Sequence, residues 1–329
     1  MFSRSTADGC LQTLSQKMTA EHDPAVDAPD AVKTVILASA PEKEKDLEKI
    51  WDEYSPAFSL ANDKQGFCFE AGAFGMVLFT SRSMSYMWLL GFAAQEALKD
   101  YCGVSIGSVI YGRFDPAYFD DVPHSKFGDL IALIPTISEV ENEEDFPWPE
   151  GIPHPKFGKP KDLSGSMVFD LLCMAAAYSF LHEVEHVRIA QDGETLDPHD
   201  EEFRCDKSAR DMLLDGIAEY SKTSGYPEEG VATKRAISIS LASFFLLAVT
   251  PEEAWGGSRS HPSIASRISA LTDSLSLPDN DHFWTYLSCL LIAQLHIKGE
   301  SIESFPVGST KEFAETLLGK FPRELNPEQ

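Results

Sequence analysis

The stretch Leu181-His182-Glu183-Val184-Glu185-His186 contains an H-E-x-x-H motif within a segment that the sequence predicts to be helical. Residues four apart share one face of an α-helix, so His182 and His186 can offer two imidazole nitrogens to one metal ion. Glu183 directly follows the first histidine and can reach a water molecule bound to that metal. Two histidine ligands beside a carboxylate base are the arrangement of a zinc hydrolase.

The residues around the motif favour a buried helix. Residues 166–190 hold few helix breakers, and Gly193 follows as a stop signal. Residues 167–177 are apolar on almost every face, which is typical of a helix in a domain core. Histidines and glutamates at the end of such a helix are costly unless partners satisfy them. A metal ion would satisfy them.

A catalytic zinc ion usually takes a third protein ligand and keeps one position for water. Asp197 followed by Pro198 is a good N-cap and first-turn pair, so we predict a second helix that runs to about Tyr220. Glu202 and Asp206 share one face of that helix. We predict that Glu202 is the third ligand and that Asp206 accepts the outer N–H of a ligating histidine.

Several side chains compete with Glu202 as the third ligand: Asp192, His199, Asp200 and Glu201. Asp192 stands where H-E-x-x-H-x-x-G-x-x-H enzymes have their third ligand, but Ile189 replaces the glycine that turns the chain there. Cys205 points about 100° away from Asp206 on the helix, which favours a packing role over a thiolate ligand.

Two interpretations without hydrolysis also stay open. The histidines can be ordinary core or surface residues, or the site can hold a purely structural metal ion. Glu183 argues against a structural ion, because such a site needs no base beside the metal.

A longer pattern extends from the motif into the rest of the chain. Phe180-Leu181-His182-Glu183-x-x-His186 to Glu202-x-x-Cys205-Asp206-x-x-Ala209 resembles the Glu-zincin metallopeptidases, and among them the Lit-like phage-exclusion peptidases. It is also similar to HtpX and CAAX-prenyl-type peptidases. Ser260-His261-Pro262-Ser263-x-x-x-Arg267-Ile268-x-x-Leu271 looks like the segment that follows the metal site in several of these families. The resemblance covers about residues 166–275.

The resemblance implies a soluble, zinc-dependent endopeptidase that acts on a protein or peptide, with a role in phage exclusion or a toxin-like role. The interval from His186 to Glu202 is short for HtpX-type enzymes, and the long apolar spans of those membrane enzymes are absent, which favours the Lit-like group. His261 or Arg267 is expected to stabilise the oxyanion, although helix capping and surface charge explain both equally well. The alternative is a regulatory or binding module on a metallopeptidase scaffold.

Composition limits the partners and the location. A net charge of −25 argues against nucleic-acid or anionic-membrane binding. Residues 236–249 and 283–295 are apolar but shorter than the roughly 20 residues that span a bilayer, so we expect core helices there. Six scattered cysteines without a C-x-x-C pair, and a polar N-terminus without signal-peptide character, favour a cytoplasmic protein. The oligomeric state is not determined by these features.

The predicted fold class is α+β, with a mixed strand and helix region followed by a mainly helical, zincin-like core. We divide the chain into a flexible tail (1–30), an N-terminal region (31–140), an acidic, proline-rich linker (141–160) and the metallopeptidase core (161–329). Strands are predicted at residues 32–38, 104–114 and 130–134, with a hairpin at 66–80 around Gly72 and Gly75. Helices are predicted at residues 44–54 and 84–101.

Overall fold

The computed structural model describes residues 24–61, 68–71, 75–119 and 126–323. Helices dominate this part of the chain and accompany two small sheets, so the predicted α+β class with a mainly helical core is confirmed. Most of the predicted tail and the turn residue Gly72 lie outside the described residues. The division into domains stays a prediction.

The first two helices are α1 (Pro24–Ser39) and α2 (Glu44–Tyr54). The strand predicted at residues 32–38 is wrong, because Val32 and Ile36 both enter the core at a helical spacing of four. Helix α2 matches the charged helix predicted at residues 44–54. It ends at Ser55, which adopts a left-handed conformation with φ of 44°.

A three-stranded sheet follows, with β1 (Ala57–Leu60), β2 (Phe69–Ala71) and β3 (Met76–Phe79) in the order β1-β3-β2. Strand β3 is parallel to β1 and antiparallel to β2. The β2–β3 pair confirms the predicted hairpin. A second, two-stranded sheet pairs β4 (Arg113–Phe114) with β5 (Phe305–Pro306).

Helix α3 (Ser81–Ile110) is longer than predicted, and α4 (Lys126–Leu133) replaces a predicted strand. The strand predicted at residues 104–114 is wrong except at its end, because Val104 and Ser108 are buried at helical spacing. The strand predicted at 130–134 is also wrong, because Phe127 and Leu130 are buried three residues apart. In both segments, packing overrides the strand preference of Val and Ile.

The central helix α5 (Leu163–Gln191) packs against α1, α3 and α6 (Pro198–Leu214). The helix predicted to run to about Tyr220 is divided at Gly216, where φ is 92°. The helices that follow α6 are α7 (Ile217–Ser224), α8 (Glu228–Val249), α9 (Ile264–Ser274), α10 (His282–Ile297) and α11 (Thr310–Leu318).

Helices α5 and α8 are long and apolar enough, by composition alone, to cross a membrane. Core helices of soluble proteins meet the same criterion, and 50% of the apolar window in α5 and 67% of that in α8 is buried inside the molecule. The predicted core helix at residues 283–295 is confirmed by α10, in which all of these residues are buried.

Candidate metal centre

The two motif histidines face one point between α5 and α6. His182 Nε2 lies 3.2 Å from His186 Nε2. In a tetrahedral zinc site with Zn–N distances of about 2.0–2.1 Å, two ligand nitrogens lie about 3.3 Å apart. The imidazoles therefore already have the separation that one zinc ion requires.

Glu202 approaches the same point from α6. Its Oε1 lies 3.4 Å from His186 Nε2, and its Oε2 lies 3.5 Å from His182 Nε2. Burial would raise the pKa of Glu202, but hydrogen bonds from the two histidines hold it well below its usual range. The carboxylate is therefore charged, and it lies beside both nitrogens that can bind a metal.

The outer nitrogens of the histidines are held by two further carboxylates. His182 Nδ1 lies 2.9 Å from Asp206 Oδ1, and His186 Nδ1 lies 2.8 Å from Glu201 Oε1. Such contacts place a proton on Nδ1 and leave Nε2 available to a metal. The sequence predicted the position of Asp206. It named Glu201 only as a rival to Glu202 for the metal, whereas Glu201 contacts the outer nitrogen of the second histidine.

Arg267 on α9 contacts the carboxylates instead of the open side of the site. Its Nε and Nη2 donate to Asp206 at 2.7 and 2.6 Å, and its Nη1 lies 3.2 Å from Glu202 Oε2. Tyr178 Oη also donates to Asp206, at 2.9 Å. Burial would raise the pKa of Asp206, but Arg267 and His182 hold it well below its usual range. Tyr178 was missed, although it lies four residues before His182 on the same helix face.

His261 lies at the rim of the site, on the loop before α9. Its side chain is 61% exposed, and its Nε2 is 3.6 Å from Glu202 Oε1. The loop folds tightly at Gly257, where φ is 100° and an added Cβ would lie 2.9 Å from the carbonyl oxygen of His261. His261 is thus a polar side chain with access both to solvent and to the Glu202 carboxylate.

Glu183 lies on the side of the site that faces the sheet. Its Oε2 accepts a hydrogen bond of 2.7 Å from the main-chain N–H of Ala71 in β2. Burial raises the pKa of Glu183, and the neighbouring His182 and His186 partly offset this rise. A cleft of about 820 Å³ opens here, with β2 on one side and α5 and α8 on the other.

The carboxylates around the histidine pair favour proton binding to the imidazoles. Burial would lower the pKa of His182, but Asp206 and Glu202 outweigh it and raise the pKa to about 9. Burial would likewise lower the pKa of His186, but Glu202 and Glu201 raise it to about 9. A metal ion that binds the Nε2 atoms must displace these protons.

Cys205 is the strongest competitor of Glu202. Ligand atoms of Cys205, His182 and His186 lie within 4.8 Å of one another. The thiol is buried, and this burial raises its pKa. The Glu202 oxygens lie 3.5 and 3.4 Å from the two Nε2 atoms and belong to a carboxylate that is already charged, so Glu202 fits a metal better than the protonated thiol does.

The other candidates for the third ligand contact groups away from the two Nε2 atoms. Asp192 accepts a hydrogen bond of 3.2 Å from Tyr54, and His199 Nε2 lies 2.8 Å from the carbonyl oxygen of Ser258. Asp200 is exposed on the surface of α6. Two imidazole nitrogens and one carboxylate, with a second carboxylate nearby, form the donor set that this structure offers to a metal.

A family model provides independent evidence on the class of protein. The model of Peptidase U49 matches residues 77–287, which are 211 of the chain's 329 residues. The chain belongs to the Peptidase U49 family. The Peptidase U49 match contains the H-E-x-x-H helix, both carboxylates on α6 and Arg267, whereas β2 and Ala71 precede it. Comparisons with curated proteins and with solved structures find no match.

Membership of Peptidase U49 supports a hydrolase that acts on proteins or peptides. It supplies neither the metal, the substrate nor the biological role. These points depend on the geometry of the site and on the resemblance of its motifs.

Proposed function

We propose that this Peptidase U49 protein is a zinc-dependent endopeptidase that cleaves a cytoplasmic protein. The observation that carries the proposal is the convergence of His182 Nε2, His186 Nε2 and Glu202 on one point, with Glu183 beside it. Two nitrogens and one carboxylate oxygen are a common ligand set of catalytic zinc. A structural zinc site is normally closed by four protein ligands and needs no neighbouring base.

His182, His186 and Glu202 would hold the ion. Bound zinc would supply a Lewis acid that lowers the pKa of a water molecule and polarises a carbonyl group. Asp206 and Glu201 keep the imidazoles in the orientation and tautomer that this requires.

Glu183 accepts the proton of the attacking water and passes it to the leaving amine. His261, exposed at the rim, is the side chain we assign to the developing oxyanion, since such a group needs a donor in the cleft. Arg267 has a different role in this scheme. Its contacts with Asp206 and Glu202 make it a residue that positions the ligands.

The resemblance to Lit-like peptidases supports a role in phage exclusion or a toxin-like role. A cytoplasmic location is supported by the cysteines, because all five within the described residues are free thiols. An intracellular protein substrate agrees with both.

Metal analysis and one substitution test the proposal. Protein purified without chelator should contain about one zinc per chain. Glu183→Gln should retain the zinc and lose cleavage of a peptide library, because the amide has the size of the carboxylate but cannot act as a base. Glu48→Gln, exposed on α2, is the control. Absence of any transition metal, or equal cleavage by Glu183→Gln, would refute the proposal.

A further inference from the structure

A main-chain group from a distant strand holds the base. The N–H of Ala71 donates to Glu183 Oε2 at 2.7 Å, across 112 positions in the sequence. Within the part of the chain that the structure describes, the second oxygen, Oε1, accepts no hydrogen bond. One oxygen is therefore fixed, while the other accepts no hydrogen bond from the described residues and can exchange a proton.

The donor is itself held firmly. Strand β2 pairs with β3, and the ring of Phe69 lies 4.7 Å from that of Phe180, two residues before the motif on α5. Just before β2, the main-chain N–H and carbonyl of Cys68 both bond to the hydroxyl of Ser83, at 3.0 and 2.8 Å. The strand is thus held against both α3 and α5.

The Glu183 carboxylate needs a fixed hydrogen-bond donor to hold it in one position. A glutamate side chain has several rotatable bonds, so the partly buried Glu183 can place its carboxylate in more than one way along the cleft that it lines. A displacement of about 1 Å at a reacting group can cost about 100-fold in rate. A fixed main-chain donor removes this freedom and does not consume the proton-accepting oxygen.

We infer that the N–H of Ala71 positions Glu183 for proton transfer, so that β2 is part of the catalytic apparatus although it lies outside the matched family region. The inference rests on the proposed peptidase activity. The opposite role would be that of a latch. In that case an extended substrate would accept the hydrogen bond of the Ala71 N–H, and Glu183 would become active only after losing this bond. Positioning is favoured, because Oε1 has no hydrogen bond from the described residues and can take a proton while the contact with Ala71 is intact.

Ala71→Pro removes the donor. Strand β2 is an edge strand of its sheet in the described chain, and the N–H of Ala71 donates to Glu183 on α5 instead of to a neighbouring strand. Proline is therefore tolerated there better than in a central strand. Ala71→Gly keeps the N–H and is the matched control. We expect kcat of Ala71→Pro to fall about 10- to 100-fold below that of Ala71→Gly, with KM and zinc content unchanged. Equal kcat values would overturn the inference, and a higher kcat for proline would indicate a latch.

Amide exchange tests the contact without relying on activity or on a proline. In the zinc-loaded, full-length protein labelled with ¹⁵N-alanine, Ala71 is identified by the signal missing from Ala71→Gly. Its amide should exchange slowly in the wild type and in Glu183→Gln, and at least about tenfold faster in Glu183→Ala, which lacks the acceptor. Ala175, in the middle of α5, is the internal control. Unchanged exchange at Ala71 in Glu183→Ala overturns the inference.

The two proposals fail in different ways. If the wild type binds zinc but cleaves no member of the peptide library, the proposed function fails and the inferred role of Ala71 in catalysis falls with it. If the wild type cleaves but Ala71→Pro matches Ala71→Gly, the function stands and only the role of Ala71 is wrong.

Discussion

Asp206→Asn should destabilise the protein and weaken its metal site together. Asp206 accepts hydrogen bonds from Tyr178, from two nitrogens of Arg267 and from His182, and it is only 5% exposed. An asparagine keeps one carbonyl oxygen but turns an NH₂ group towards these donors. It also leaves the buried Arg267 without its closest negative partner.

The contacts of Asp206 determine how much stability Asp206→Asn should lose. Breaking a buried ion pair by removing one partner costs about 3–5 kcal/mol. Arg267 keeps the Glu202 carboxylate at 3.2 Å, so we expect a loss near the lower end, about 3 kcal/mol, in the free energy of unfolding. Loss of the contact with His182 Nδ1 should also reduce zinc affinity about 10- to 100-fold.

The effect should depend on pH in a defined direction. The pKa of Asp206 in the folded protein lies below that of an unfolded aspartate, about 3.9. Its stabilising contribution is therefore complete above that value and is lost as the pH falls towards the folded pKa. The difference between wild type and Asp206→Asn should shrink as the pH falls below about 4, and it should also shrink as the pH rises towards about 9, where His182 loses its proton.

Denaturant unfolding of the zinc-free protein and zinc titration measure the two effects. Asp211→Asn, on the same helix, is the matched control because its partner Lys207 is 66% exposed. An exposed pair of this kind contributes about 0–1 kcal/mol. If Asp206→Asn were as stable as Asp211→Asn and bound zinc equally well, the account of this carboxylate would be wrong.

Three further predictions concern the ligands. Glu202→Ala should abolish tight zinc binding. Glu201→Ala should weaken it only about 10- to 100-fold, because Glu201 contacts the outer nitrogen of His186 and not the metal. Equal losses of zinc affinity in a titration of the two variants would contradict this prediction. Cys205→Ser should keep its zinc by elemental analysis, and loss of the metal would identify the thiolate as a ligand. Zinc affinity should rise from pH 6 to about pH 9, where His182 and His186 lose their protons, and a calorimetric titration that found no pH dependence would exclude this proton release.

Local periodicity was enough to predict the centre of the site. His182 and His186, and likewise Glu202 and Asp206, lie four residues apart on single helices, so their shared faces follow from the helical repeat alone. The N-cap at Asp197 also set the start of α6 correctly.

Short apolar runs could not be assigned in the same way. Residues 32–38, 104–110 and 130–133 are rich in Val, Ile and Leu, and such runs fit a buried strand and a buried helix equally well until tertiary packing decides. Contacts between elements that are distant in the sequence also could not be predicted. Tyr178 could have been found from its spacing to His182, but no local signal connects Ala71 with Glu183.

X-ray absorption spectroscopy of the zinc-loaded protein tests the central claim most directly, because it measures ligand type and distance together. The account predicts one zinc site with only nitrogen and oxygen neighbours at about 2.0–2.2 Å, including two imidazoles. Loss of one oxygen neighbour in Glu202→Ala would assign that ligand. A sulfur neighbour at about 2.3 Å would contradict the account and identify Cys205 as the third ligand.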